Sequence, residues 1–103
     1  MIYLKLRHGI VALGRSVFID ENTYEYVDND GEACAAPLGD IKIKMDTSDR
    51  DMFTLVSFPN NQEGMESAYR TIDTIWQIIR DSHGKETVCI DLAEIVGETG
   101  MLA

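Results

Sequence analysis

Apolar residues between Asn60 and Gly84 recur at helical spacing. Wound at about 3.6 residues per turn, Met65, Ala68, Tyr69, Ile72, Ile75, Trp76 and Ile79 fall on one side. Glu66, Ser67, Arg70, Thr71, Asp73, Thr74, Gln77, Arg80 and Asp81 take the other. The pattern predicts a helix over about 61–83. Pro59 ends what precedes it, Asn60 is placed to cap the first turn, and Glu63 follows at capping-box spacing. Gly84 suits the left-handed conformation that closes a helix. An apolar stripe needs a surface to bury it, so Trp76 is expected in the core. Ile78, at the edge of the stripe, either widens the buried face or touches a neighbour.

The rest of the chain reads in period two. Ile2, Leu4 and Leu6 alternate with Tyr3, Lys5 and Arg7, the pattern of a half-buried strand. His8-Gly9 marks a turn, and Ile10 to Leu13 is the return strand. Ser16 to Asp20 and Thr23 to Val27 are rich in β-branched and aromatic residues, and Asp20-Glu21-Asn22 between them suggests a hairpin. Asp28-Asn29-Asp30-Gly31 is the strongest turn signal in the chain, with Glu32 to Ala36 as a short return. Further strands are expected over Asp40 to Met45, Met52 to Phe58 and Thr87 to Leu92. Ala93 to Ala103 reads as a short helix or a frayed tail. The fold class is therefore α+β, a single domain over 1–103: a mostly antiparallel sheet of about five to seven strands with the long helix on one face.

The 103 residues are 45 % apolar and 26 % charged, a foldable balance. Eighteen Asp and Glu face nine Lys and Arg, for a net charge of −9. Such a field repels nucleic acid and anionic lipid and speeds encounter with a basic protein. No apolar run approaches the ~20 residues of a membrane span. Met1 to Lys5 lacks the layout of a secretory signal, and Cys34 and Cys89 form no CxxC unit, so a cytoplasmic location with reduced thiols is expected.

The charge is concentrated. Ser16 to Ile41 holds Asp20, Glu21, Glu25, Asp28, Asp30, Glu32 and Asp40 without one Lys or Arg. Unpaired carboxylates repel one another, and a basic partner would neutralise them. Asp20, Glu21, Glu25, Asp28, Asp30 and Glu32 are the candidate partner-binding residues. Tyr24 and Tyr26 alternate with Glu25. Turned outward, the tyrosines would be aromatic anchors within an acidic rim, a composition suited to protein recognition; the favoured reading turns them to the core and Glu25 to water.

Catalytic and metal signals are weak by comparison. Gly31 at the glycine position of an EF-hand loop puts Tyr26 first and Pro37 twelfth, and neither supplies a carboxylate, which excludes that motif. His8, Cys34, His83 and Cys89 lack zinc-ligand spacing, and Cys89 in an apolar strand reads as a buried thiol. His83 suits the negative end of the helix dipole. No GxSxG, P-loop or dinucleotide fingerprint is present. Asp46, Asp49 and Asp51 form a carboxylate-rich loop whose default is solvation. No catalytic residue, metal or cofactor is expected.

The function these features favour is a small acidic protein-binding module without enzymatic activity. It would be an inhibitor or an immunity or anti-defence antagonist that occludes a basic, nucleic-acid-acting protein such as a nuclease or toxin. Two alternatives are a small enzyme or small-molecule-binding domain with a site between helix and sheet, and a homo-oligomeric structural domain. The last would pair through an edge strand, with Ile2 to Arg7 as a candidate.

Overall fold

The computed structural model describes residues 1–14, 16–20, 23–37, 39–46 and 52–103, with 23, 24, 36 and 37 described in the backbone alone. Strands β1 (Ile2–Lys5) and β2 (Ile10–Ala12) form an antiparallel pair. They turn at His8-Gly9, where the Leu6 amide donates to the Gly9 carbonyl at 2.7 Å. After β3 (Ser16–Asp20), β4 (Thr23–Val27) and β5 (Ala33–Pro37) come β6 (Ile41–Asp46) and β7 (Met52–Phe58). Helix α1 (Gln62–Asp81) precedes β8 (Val88–Asp91), the short helix α2 (Leu92–Ile95) and β9 (Met101–Leu102).

The nine strands of the described residues form three sheets, ordered β2-β1-β8, β3-β6-β7-β9 and β4-β5, with α1 packed against β3, β6 and β7. The architecture is the expected α+β, with more strands than the alternation implied. Strand β8 runs parallel to β1, all other pairings being antiparallel. Both edges of β1 are therefore occupied, and Ile2 to Lys5 offers no free edge to a second copy.

The core gathers Leu4, Leu6, Ile41, Ile43, Met45, Leu55, Val56, Phe58, Ala68, Ile75, Ile90, Leu92 and Val96. Alternation in β6 turns Ile41, Ile43 and Met45 inward and Lys42 and Lys44 toward solvent. In β7 the pairing shifts between Ile43↔Val56 and Lys44↔Thr54. The extra residue, Leu55, makes a bulge, which lets two consecutive side chains, Leu55 and Val56, both reach 0 % exposure. The C-terminal residues are tied down rather than frayed. Asp91 caps α2 by accepting from the Ala93 amide at 3.1 Å, β9 pairs with β7, and the Ala103 amide donates to the Leu55 carbonyl at 3.0 Å. Strand β8 turns Ile90 inward and so leaves Cys89 exposed, against the buried thiol its apolar setting implied.

Helix α1 differs from its sequence pattern in two ways. Its cap is Asn61, whose side chain accepts from the Gly64 amide at 2.8 Å. Asn60 instead donates to the Gly39 carbonyl at 2.7 Å. The second difference is rotational. The face against the sheets is Gly64, Ser67, Ala68, Thr71 and Ile75. Trp76 is 60 % exposed and Tyr69 52 %. At 100° per residue, the buried face lies roughly 80° around the axis from the centre of the apolar stripe.

The buried face is made mostly of small side chains. At its start there is no room for a larger one: a Cβ on Gly64 would sit 1.8 Å from the Pro59 carbonyl oxygen, where the chain enters the helix. The two hydroxyls thereby buried are satisfied. Thr71 Oγ1 donates to the Ser67 carbonyl at 2.7 Å, and Thr99 Oγ1 donates to Ser67 Oγ at 2.9 Å. Trp76 is thus no core residue, while Ile78 is half-buried against the core and widens the buried face.

Candidate protein-interaction surface

The hairpin expected between Ser16–Asp20 and Thr23–Val27 does not form. Strand β3 pairs with β6, and β4 with β5, so β3 and β4 supply one leg of a ribbon and β5 and β6 the other. Both strand patterns were legible, but each has its partner on the far side of the Asp28-Asn29-Asp30-Gly31 turn. Register changes along the ribbon. Asp20 faces Lys42 and Thr23 faces Pro37, so two residues intervene on one leg and four on the other. Gly39, at φ +82°, lies within the longer leg, in a backbone conformation that glycine adopts without steric cost.

The outer half of the ribbon, β4-β5, contributes none of its described side chains to the core and forms a sheet of its own. It stands off the body as an arm. The molecule measures 57 × 30 × 25 Å, with a radius of gyration of 15.8 Å. A compact domain of this length has about 13 Å.

At the tip, Asp28 organises the turn. Its Oδ1 accepts from the Asp30 and Glu32 amides, both at 2.9 Å, and its Oδ2 accepts from Cys34 Sγ at 3.5 Å. The Gly31 amide donates to the Asp28 carbonyl at 3.1 Å, and the Asp28 amide to the Glu32 carbonyl at 3.0 Å. These donors, the Glu32 amide foremost, hold the Asp28 carboxyl below its ordinary value of 3.8. Gly31 takes φ +82° and completes the reversal.

The six sequence-derived candidates separate in space. Glu25, Asp28, Asp30 and Glu32 lie together on the arm, and Glu25, Asp30 and Glu32 are exposed. Asp20 lies on the body, where its Oδ2 is 2.7 Å from Lys44 Nζ, so its charge is already neutralised. Glu21 lies outside the described residues, as do Asp49 and Asp51 of the carboxylate loop. Tyr26, expected in the core, is 44 % exposed on the arm, and Val27 beside it is 70 % exposed. The side chain of Tyr24 falls outside the description. Opposite them stand small residues, with Cys34 facing Tyr26 and Ala33 facing Val27. The arm therefore presents an aromatic and an aliphatic side chain among three exposed carboxylates. Val27 escaped the charge-based reading, although its place next to the turn marked it as a tip residue.

A second feature lies on the body. Leu13, Gly14, Ser16, Val17, Ile72, Ile75, Trp76 and Ile79 line an open groove of about 400 Å³ between α1 and the start of β3. Its lining is apolar apart from Ser16. Among the described residues no three His, Cys, Asp or Glu cluster as a metal site, and no helix is long and apolar enough to cross a membrane. Comparison with protein-family models, with curated proteins and with solved structures finds no match to this chain.

Proposed function

We propose that this protein is an acidic protein-binding module whose β4-β5 arm engages a basic protein and blocks its working surface. The observation that carries the reading is the arm itself: a two-stranded projection, free of Lys and Arg, with Glu25, Asp30 and Glu32 exposed around Tyr26 and Val27. A two-stranded hairpin alone in water is marginal, so the arm gains stability when another surface covers it. Carboxylates steer a basic partner, and Tyr26 with Val27 supplies an apolar contact inside an acidic rim. Partners of this charge include proteins that act on nucleic acid, and occluding a nuclease or toxin in this way is inhibition or immunity. No step of the mechanism uses a catalytic group.

Asp28 holds the turn, and reversing its charge would confound binding with folding. Reversing Glu25, Asp30 and Glu32 to Lys changes only exposed groups. The wild-type chain should retain basic proteins from native lysate at low salt and release them at high salt. The triple variant should retain none of them. Equal retention of the same proteins by both chains, with the same salt dependence, contradicts the reading.

A further inference from the structure

We infer that two copies of this chain associate through α1, with the helices antiparallel across a twofold axis near Asp73. The inference concerns a surface other than the arm and stands apart from the function proposed above. Its first support is spacing. Met65, Tyr69, Ile72, Trp76 and Ile79 follow one another at intervals of four, three, four and three residues. That is the interval of a helix-pairing seam, in which large side chains meet a second helix. Rotation of α1 onto its small-residue face leaves Met65, Ile72 and Ile79 half-buried against the core and the outer side of the seam open, with Trp76 60 % and Tyr69 52 % exposed. A second helix fits this interval as the occupant.

Charge complementarity names it as a second α1. Beside the seam, on the side away from the sheets, stand Glu66, Asp73 and Arg80 at seven-residue intervals. All three are exposed. In an antiparallel pair each such position faces its counterpart across the axis. With the axis at Asp73, Glu66 of each copy faces Arg80 of the other, which makes two ion pairs. The seam then interlocks, Trp76 on Ile72 and Tyr69 on Ile79, twice over. Asp73 meets its own counterpart, a like-charge contact that keeps the association weak.

The sheet offers a third support. The seam flanks the groove bounded by Leu13, Ser16 and Val17, so it lies beside β3. Strand β3 is the outer strand of its sheet, paired on one side only among the described residues. Two β3 edges that meet across a twofold axis perpendicular to them run antiparallel, an arrangement in which strands join across a dimer. One such operator brings the helix seam, the groove and the strand edge to the same interface.

Sedimentation velocity on the full chain, combined with emission from Trp76, its single tryptophan, tests the proposal. Between about 1 and 200 μM, a range suited to a weak interface, a dimer should form and Trp76 emission should shift to shorter wavelength. Glu66→Lys alone and Arg80→Glu alone should each weaken the dimer roughly tenfold. An equimolar mixture of the two variants, which restores both ion pairs, should recover it. The Glu25, Asp30 and Glu32 reversal should dimerise like the wild type, which separates failure of this proposal from failure of the arm's role. A chain that stays monomeric over the whole range overturns the inference. So does a dimer that the single reversals leave unchanged, or a mixture no tighter than its components.

Discussion

Asp28 is the residue through which the arm responds to pH. Its folded carboxyl titrates below 3.8, so the carboxylate stabilises the turn at all pH values above that. The contribution disappears as pH falls through the lowered value, when protonation weakens its acceptance from the Asp30 and Glu32 amides. Amide exchange at these two residues, followed by NMR under acid titration, should accelerate there, before residues of the core are affected. Asp28→Ala should produce the same acceleration at neutral pH, and Asp28→Asn, which keeps one acceptor oxygen, a smaller one. On the helix, Gly64 and Trp76 give opposite expectations. Gly64→Ala drives a Cβ into the Pro59 carbonyl and should cost about 3 kcal/mol or more by overpacking. Trp76→Ala removes a largely exposed ring and should cost about 1 kcal/mol in urea denaturation of the monomer. Ile75→Ala, one residue away in the core, should cost about 2–5 kcal/mol.

At the scale of elements, the existence of α1 and of the strands was legible because hydrophobic period depends on local residues. The length of α1 was also marked, by Pro59 before it and Gly84 after it. What period does not carry is which face wins. Counting apolar side chains put Trp76 inward, whereas packing chose the line Gly64, Ser67, Ala68 and Thr71, where small size permits close approach and the hydroxyls find partners. Strand pairing was legible only across the tight turn. Asp28-Asn29-Asp30-Gly31 marked Glu32 to Ala36 as the return of Thr23–Val27, and β5 is that return. Ser16–Asp20 instead pairs with the distant Ile41–Asp46, and nothing within either segment records that choice. The acidic candidates were legible as a group because charge needs no register, but their separation into an arm cluster, a neutralised Asp20 and a turn-holding Asp28 depends on contacts. The arm also makes an element-scale prediction. Replacing residues 22–39 with a short glycine-containing turn between β3 and β6 removes no core side chain among the described residues. The melting temperature should stay within about 5 °C of the wild type, the change expected for roughly 1 kcal/mol in a domain of this size.

For the whole molecule, a net charge of −9 sets the sign of every long-range encounter. It discourages nucleic acid, slows the approach of a second copy and attracts basic proteins. The elongated shape places three exposed carboxylates away from the core, where their mutual repulsion weighs little on folding and where they can enter a concave surface. The most direct test of this account is capture of basic proteins from native lysate at low and high salt, with the wild-type chain beside the Glu25→Lys, Asp30→Lys, Glu32→Lys variant. The account predicts basic proteins held by the wild type at low salt, released at high salt and absent from the variant. The same proteins retained equally by both chains, with the same salt dependence, would contradict it.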